Sequence, residues 1–244
     1  MRRFAVLALL PILAACGRKP APPGAEAIVA ERKAGALSKR DEILRAIEAA
    51  MKWPALKAPE APPSPAMDVE PVSRNNPQNP GWNTLVLLPP HTETLKTGKS
   101  KGMTIPGWYL PECVERSVEA SVLGTMENMP LNMKTPDVWK GWFDGLAGLK
   151  YTIVVKALSY TPPQLSGDKT FTPGSFGGEA RVYRLSDTAY LGGFTFAAKQ
   201  DSKSVTVYGG KDQSYVEIDF DRSIRAAFAA ELRKLFPDTQ TEVR

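Results

Sequence analysis

The sequence predicts an α+β fold: a mainly antiparallel sheet of about four to six strands with two or three packed helices. Three observations predict it. Segments with apolar residues at helical spacing stand early and late in the chain. β-rich segments fill the stretch between them. Two of those segments are separated by Ser186, Asp187 and Thr188, a hairpin-like turn that favours antiparallel pairing.

In "SKRDEILRAIEAAMKW", residues 38–53, Ser38 and Asp41 make a capping-box-like start. Ile43, Ile47 and Met51 recur every fourth residue with Leu44 beside them, so one face is apolar. Pro54 ends this short amphipathic helix, and residues 54–81 follow with eight prolines. Proline on that scale favours an extended chain rising about 3.1 Å per residue, which reads as a semi-rigid spacer or, in part, a wrap over the domain surface. The folded domain is expected over residues 82–237, long enough for one full core.

Within that domain, "TLVLLPP" reads as a short strand. "PECVERSVEASVLG" reads as a helix, with Val114, Val118 and Val122 four apart. "TPDVWKGWFDGLAG" is a stronger one: Thr135 at the cap, Pro136 at the first helical position, Gly148 to close it. "KYTIVVKALSY" is apolar on both faces around Ile153–Val155, as a central strand would be. "GEARVYRL" and "AYLGGFTFAAK" form the hairpin, "SVTVYG" adds a strand, and "YVEIDF" is expected to add another. The last helix, "DRSIRAAFAAELRKLF", has Asp221 at its cap, Ile224, Phe228, Leu232 and Leu235 on one face, and Pro237 beyond it. Residues 238–244 are a tail.

The N-terminus is informative in another way. Arg2 and Arg3 precede an apolar stretch of twelve residues, Phe4 to Ala15. A membrane-spanning helix needs about 20 such residues, so residues 1–15 read as a signal peptide. "LAAC", residues 13–16, resembles the lipobox of bacterial lipoproteins. The resemblance implies lipidation of Cys16 and cleavage before it, with residues 16–37 a lipid-anchored flexible linker. Two acyl signals or more make a firm anchor where one holds only marginally. The resemblance further implies a cell envelope location, and Gly17 in place of an inner-membrane-retaining Asp suggests the outer membrane, facing the periplasm.

Charge and cysteine narrow the function. Cleavage lowers the formal charge from +5 to +3, that is 29 basic minus 26 acidic residues. That mild excess, unclustered, does not point to nucleic acid. With Cys16 acylated, Cys113 is left as a single thiol with no intramolecular disulfide partner, expected to be a small buried residue.

Several stretches imitate catalytic motifs. Gly98, Lys99 and Ser100 match the end of a phosphate-binding P-loop, but position 93 is Glu instead of Gly, and Gly102, Pro106 and Gly107 interrupt the helix the motif needs. A solvated basic loop carrying Lys96, Lys99 and Lys101 is expected there, with no nucleotide. "PGSFG", residues 173–177, imitates a nucleophile elbow with Pro173 in place of Gly. His91, the single histidine, lies in a Pro-flanked loop and is expected at the surface. One His and one thiol cannot supply a zinc site. Glu217, Asp219 and Asp221 would share a strand face and could hold a hard cation, although capping of the last helix explains them as well. Gly141 and Gly145 are expected to allow close packing. No catalytic, cofactor-binding or metal residue is therefore assigned.

Residues 161–178, "TPPQLSGDKTFTPGSFGG", remain as a long connection, longer than the roughly 12–15 residues usual for a loop without structure of its own. Phe171 and Phe176 must be buried by it or presented as a binding lip for an envelope protein or glycan. The reading that results is a lipid-anchored envelope lipoprotein, bound to the membrane through Cys16, whose α+β domain binds or scaffolds. The fold order is loosely similar to small α/β lipoproteins that serve envelope machines as accessory factors. An envelope hydrolase or a small-ligand carrier is the alternative.

Overall fold

The computed structural model describes residues 24–56, 59, 83–99, 110–124, 135–166, 170–201 and 213–237. The fold is α+β. In chain order it comprises α1 (Ala25–Lys52), β1 (Thr84–Leu87), α2 (His91–Thr97), α3 (Glu112–Leu123), α4 (Pro136–Ala147), β2 (Tyr151–Thr161), β3 (Gln164–Ser166), β4 (Thr170–Thr172), β5 (Ser175–Arg184), β6 (Tyr190–Lys199) and α5 (Gln213–Leu235). Of the five helices among the described residues, α2 is the one not expected beyond the short N-terminal helix and the packed helices of the domain.

The main sheet has the order β1-β2-β5-β6. β1 runs parallel to β2, and the other two pairings are antiparallel. The parallel pair follows from connectivity, since α2, α3 and α4 lie between the two strands and carry the chain back to the starting edge. β2 is buried from Thr152 to Val155 without a break. Both of its faces are covered, which explains the uninterrupted β-branched run.

One face of the sheet, with Leu85, Leu87, Val154, Tyr183 and Leu185, packs against a layer containing α1 to α4. The other, with Ile153, Val155, Ala180, Val182 and Phe194, packs against α5. α4 brings Trp139, Trp142 and Phe143 into the first core; the two indoles meet edge to face at 5.0 Å.

Four sequence expectations are corrected. First, α1 begins at Ala25, so residues 25–37 belong to a 28-residue helix and not to a flexible linker. Ser38 and Asp41 lie inside it and cap nothing. The segment is rich in Ala, Glu, Lys and Arg, all good helix formers. Its buried stripe is Ile28, Ala36, Ile43, Ala46, Ile47 and Ala50, while Met51 is 47% exposed. Second, "YVEIDF" is the start of α5 and not a strand, and Asp221 lies within that helix. Third, "HTETLKT" is a helix, α2, and not a loop.

Fourth, the 161–178 connection is structured. β2 runs on to Thr161, β3 and β4 pair as a small antiparallel hairpin with Leu165 opposite Phe171, and β5 resumes at Ser175. "SVTVYG", the tail and the N-terminal segment with Cys16 lie outside the described residues.

Candidate functional site

The motif-like residues are built into the fold. Gly98 ends α2 in a left-handed conformation (φ 71°), donating its N–H to Thr94 O. A side chain there would press on Val122 and Leu123 of α3. The helix therefore precedes Lys99 at this point, the reverse of a phosphate cradle. Ser100 and Lys101 lie outside the described residues. His91, expected at the surface, is 2% exposed; its Nδ1 accepts the Leu88 N–H at 3.0 Å and so closes the β1–α2 turn.

Ser175 opens β5, opposite Lys199 and Thr161, and no strand-to-helix elbow forms around it. Glu217, Asp219 and Asp221 stand on α5. Asp219 accepts from Gln200 Nε2 at 3.1 Å, and Asp221 pairs with Arg225 at 2.7 Å. Burial, aided by the charges of Glu217 and Asp221, raises the pKa of the nearby Tyr160 hydroxyl. Among the described residues no group of three His, Cys, Asp or Glu is placed to hold a metal. Gly141 and Gly145 lie on α4.

Cys113 is 1% exposed on α3. Desolvation pushes its thiol pKa from 9.0 up to about 12, more than the local backbone N–H groups can offset. Two outcomes are expected. A maleimide should leave Cys113 unmodified at neutral pH until the protein is denatured, since the thiolate is the nucleophile. Stability should also fall above pH 9, because the unfolded thiol loses its proton there while the folded one keeps it until about 12. Full labelling of the native protein at pH 7 would contradict this placement.

The two phenylalanines separate. Phe171 is half-buried on β4. Phe176 is 2% exposed, 5.4 Å from the Phe196 ring and 6.4 Å from Tyr160. Phe176 is thus a core residue, and a binding lip made of both rings is ruled out.

One constellation escaped the sequence reading. Glu179 and Arg181 of β5 are 1% and 2% exposed, and their side chains approach to 3.4 Å. They point to the α1 side of the sheet, in the row of Tyr183. The chain leaving α1 crosses this row. Arg181 Nη2 donates to Pro54 O, and the Leu56 N–H donates to Glu179 Oε2 at 2.9 Å. Trp53 lies over the guanidinium at 5.7 Å and tilts against Tyr190 at 5.3 Å. Gly193 leaves the room: a Cβ on it would come within 2.9 Å of Leu56 Cδ1 and 2.8 Å of the Tyr190 hydroxyl.

A buried charge pair is tolerated only when its remaining lone pairs and protons are met, and here the backbone of residues 53–56 meets part of that need. Burial raises the Tyr183 hydroxyl pKa, with the Arg181 charge opposing it. Strand alternation concealed the pair. Charges at i and i+2 beside Ala180 and Val182 read as a solvated face, and no sequence signal revealed the strap above them.

Comparison with family models, curated proteins and solved structures finds no match to this chain. Among the described residues no helix is long and apolar enough to cross a membrane.

Proposed function

We propose that this chain is a lipid-anchored envelope lipoprotein whose periplasm-facing α+β domain acts as a binding or scaffolding module. The observation that carries the anchor is "LAAC" behind two arginines and a short apolar stretch. Gly17 after the cysteine supports the outer membrane as the destination. The non-enzymatic half is supported by the placement of the reactive side chains. His91 is engaged by Leu88, Cys113 is buried with its thiol held protonated, and Ser175 begins a strand. His91 thus closes a turn and Cys113 fills the core.

Metabolic labelling with a fatty-acid analogue tests the anchor. Wild-type protein is expected to take the label and float with membranes, and Cys16→Ser to do neither. Equal labelling of the two would overturn the reading.

A further inference from the structure

We propose that the N-terminal end of α1 is held against the lipid surface that anchors Cys16, so that the domain works at the membrane and not at the end of a stalk. The inference rests on the anchor just proposed and adds where the domain stands. Eight residues, 17–24, separate Cys16 from Ala25. Whatever their conformation, nine Cα steps reach at most about 32 Å.

α1 cannot lengthen that tether without leaving the core. Ile43, Ala46 and Ile47 are at most 2% exposed within the cluster shared with α3 and α4. Lys39 Nζ also reaches Leu149 O at 3.1 Å, and Arg32 pairs with Asp144.

The proline-rich segment contributes no reach. It departs at Leu56, tied to Glu179, and the chain is tied again at Asn83, whose carbonyl accepts from Lys150 and Tyr151. Both attachment points are on the one sheet, so residues 57–82 form an internal connection. As a spacer, those 26 residues would have added about 80 Å. The spacer reading of residues 54–81 is thereby replaced. A folded body of this size is roughly 40 Å across. Any envelope partner is therefore met within about 70 Å of the lipid headgroups, the sum of the longest tether and the body. The solvent-facing side of the first turns of α1 carries both signs, in Glu26, Glu31 and Lys33. Tether length, not charge, sets the placement, and added salt should not alter it.

The test uses the full lipidated chain in phosphatidylethanolamine–phosphatidylglycerol vesicles that carry an acceptor-labelled lipid. A donor dye is placed at Glu26→Cys, Cys113 being buried and protonated. A second form carries a copy of residues 57–82 inserted after Gly17. Efficient energy transfer that persists in high salt, with a several-fold loss in the lengthened form, is expected. Transfer in the native-length chain as weak as in the lengthened one would overturn the short tether while leaving the anchor intact. A chain that fails to float with the vesicles would overturn the anchor, and this inference with it.

Discussion

Glu179→Leu is expected to lower the stability of the domain by about 3–5 kcal/mol, the usual effect of removing one partner from a buried ion pair. The cation left behind is poorly served. Arg181 is 2% exposed, its Nε and Nη1 make no hydrogen bond among the described residues, and Pro54 O, the Trp53 ring and the neutral Tyr183 hydroxyl near the guanidinium carry no negative charge to replace the carboxylate. At about 2–4 °C per kcal/mol for a domain of this size, the midpoint should fall by roughly 6–20 °C.

The reverse removal, Arg181→Met, should cost less. Lys156 stands directly across from Glu179 on β2 and offers a second cation. The double variant Glu179→Leu with Arg181→Met should be more stable than Glu179→Leu alone, since no buried charge is then stranded. In the two variants that lack Glu179, the Leu56 amide should exchange with solvent faster. A loss under about 1 kcal/mol for Glu179→Leu, the level of an exposed pair, would show that the pair is solvated.

Phe176→Ala is expected to cost about 3–5 kcal/mol, as truncation of a fully buried aromatic does. Its ring lies among Tyr160, Phe196 and the α5-facing core, and a cavity there cannot close easily. Gly178 is already so near that a Cβ on it would stand 2.6 Å from the Phe176 ring. Phe171→Ala should cost clearly less, because Phe171 is half-buried on a three-residue strand. Denaturant unfolding of both variants checks this. Equal small losses would return Phe176 to the surface and revive the lip.

The hairpin of β5 and β6, the central β2 and α4 were legible because their signals are local: alternation, a both-faces apolar run, and Pro136 at the first helical position, although Thr135 before it makes no side-chain capping hydrogen bond. The rest depended on tertiary context. Val216 and Phe220 stand four apart, so in a six-residue window a strand and a helix bury the same two residues. Ile218 decides between them, and it is 49% exposed, as the helix requires. Residues 25–37 carry few large apolar side chains, Ile28 and Val29 being followed only by Leu37, yet the alanines pack closely and the helix extends through them, past Gly35.

Prolines 162, 163 and 173 suggested a loop, but short strands fit between them. The Glu179–Arg181 pair could not be read at all, because its burial is completed by a segment more than 120 residues earlier (123 and 127 residues for its two hydrogen bonds).

α1 and the sheet share a core in a single folded body, with the proline-rich segment as an internal connection. Cleavage within that segment tests it most directly. A specific protease site is inserted after Ser64, the chain is cut, and the product is examined by size-exclusion chromatography and thermal unfolding. The two pieces are expected to elute together and unfold in one transition. Separation of the pieces, with the C-terminal one still folded, would contradict it.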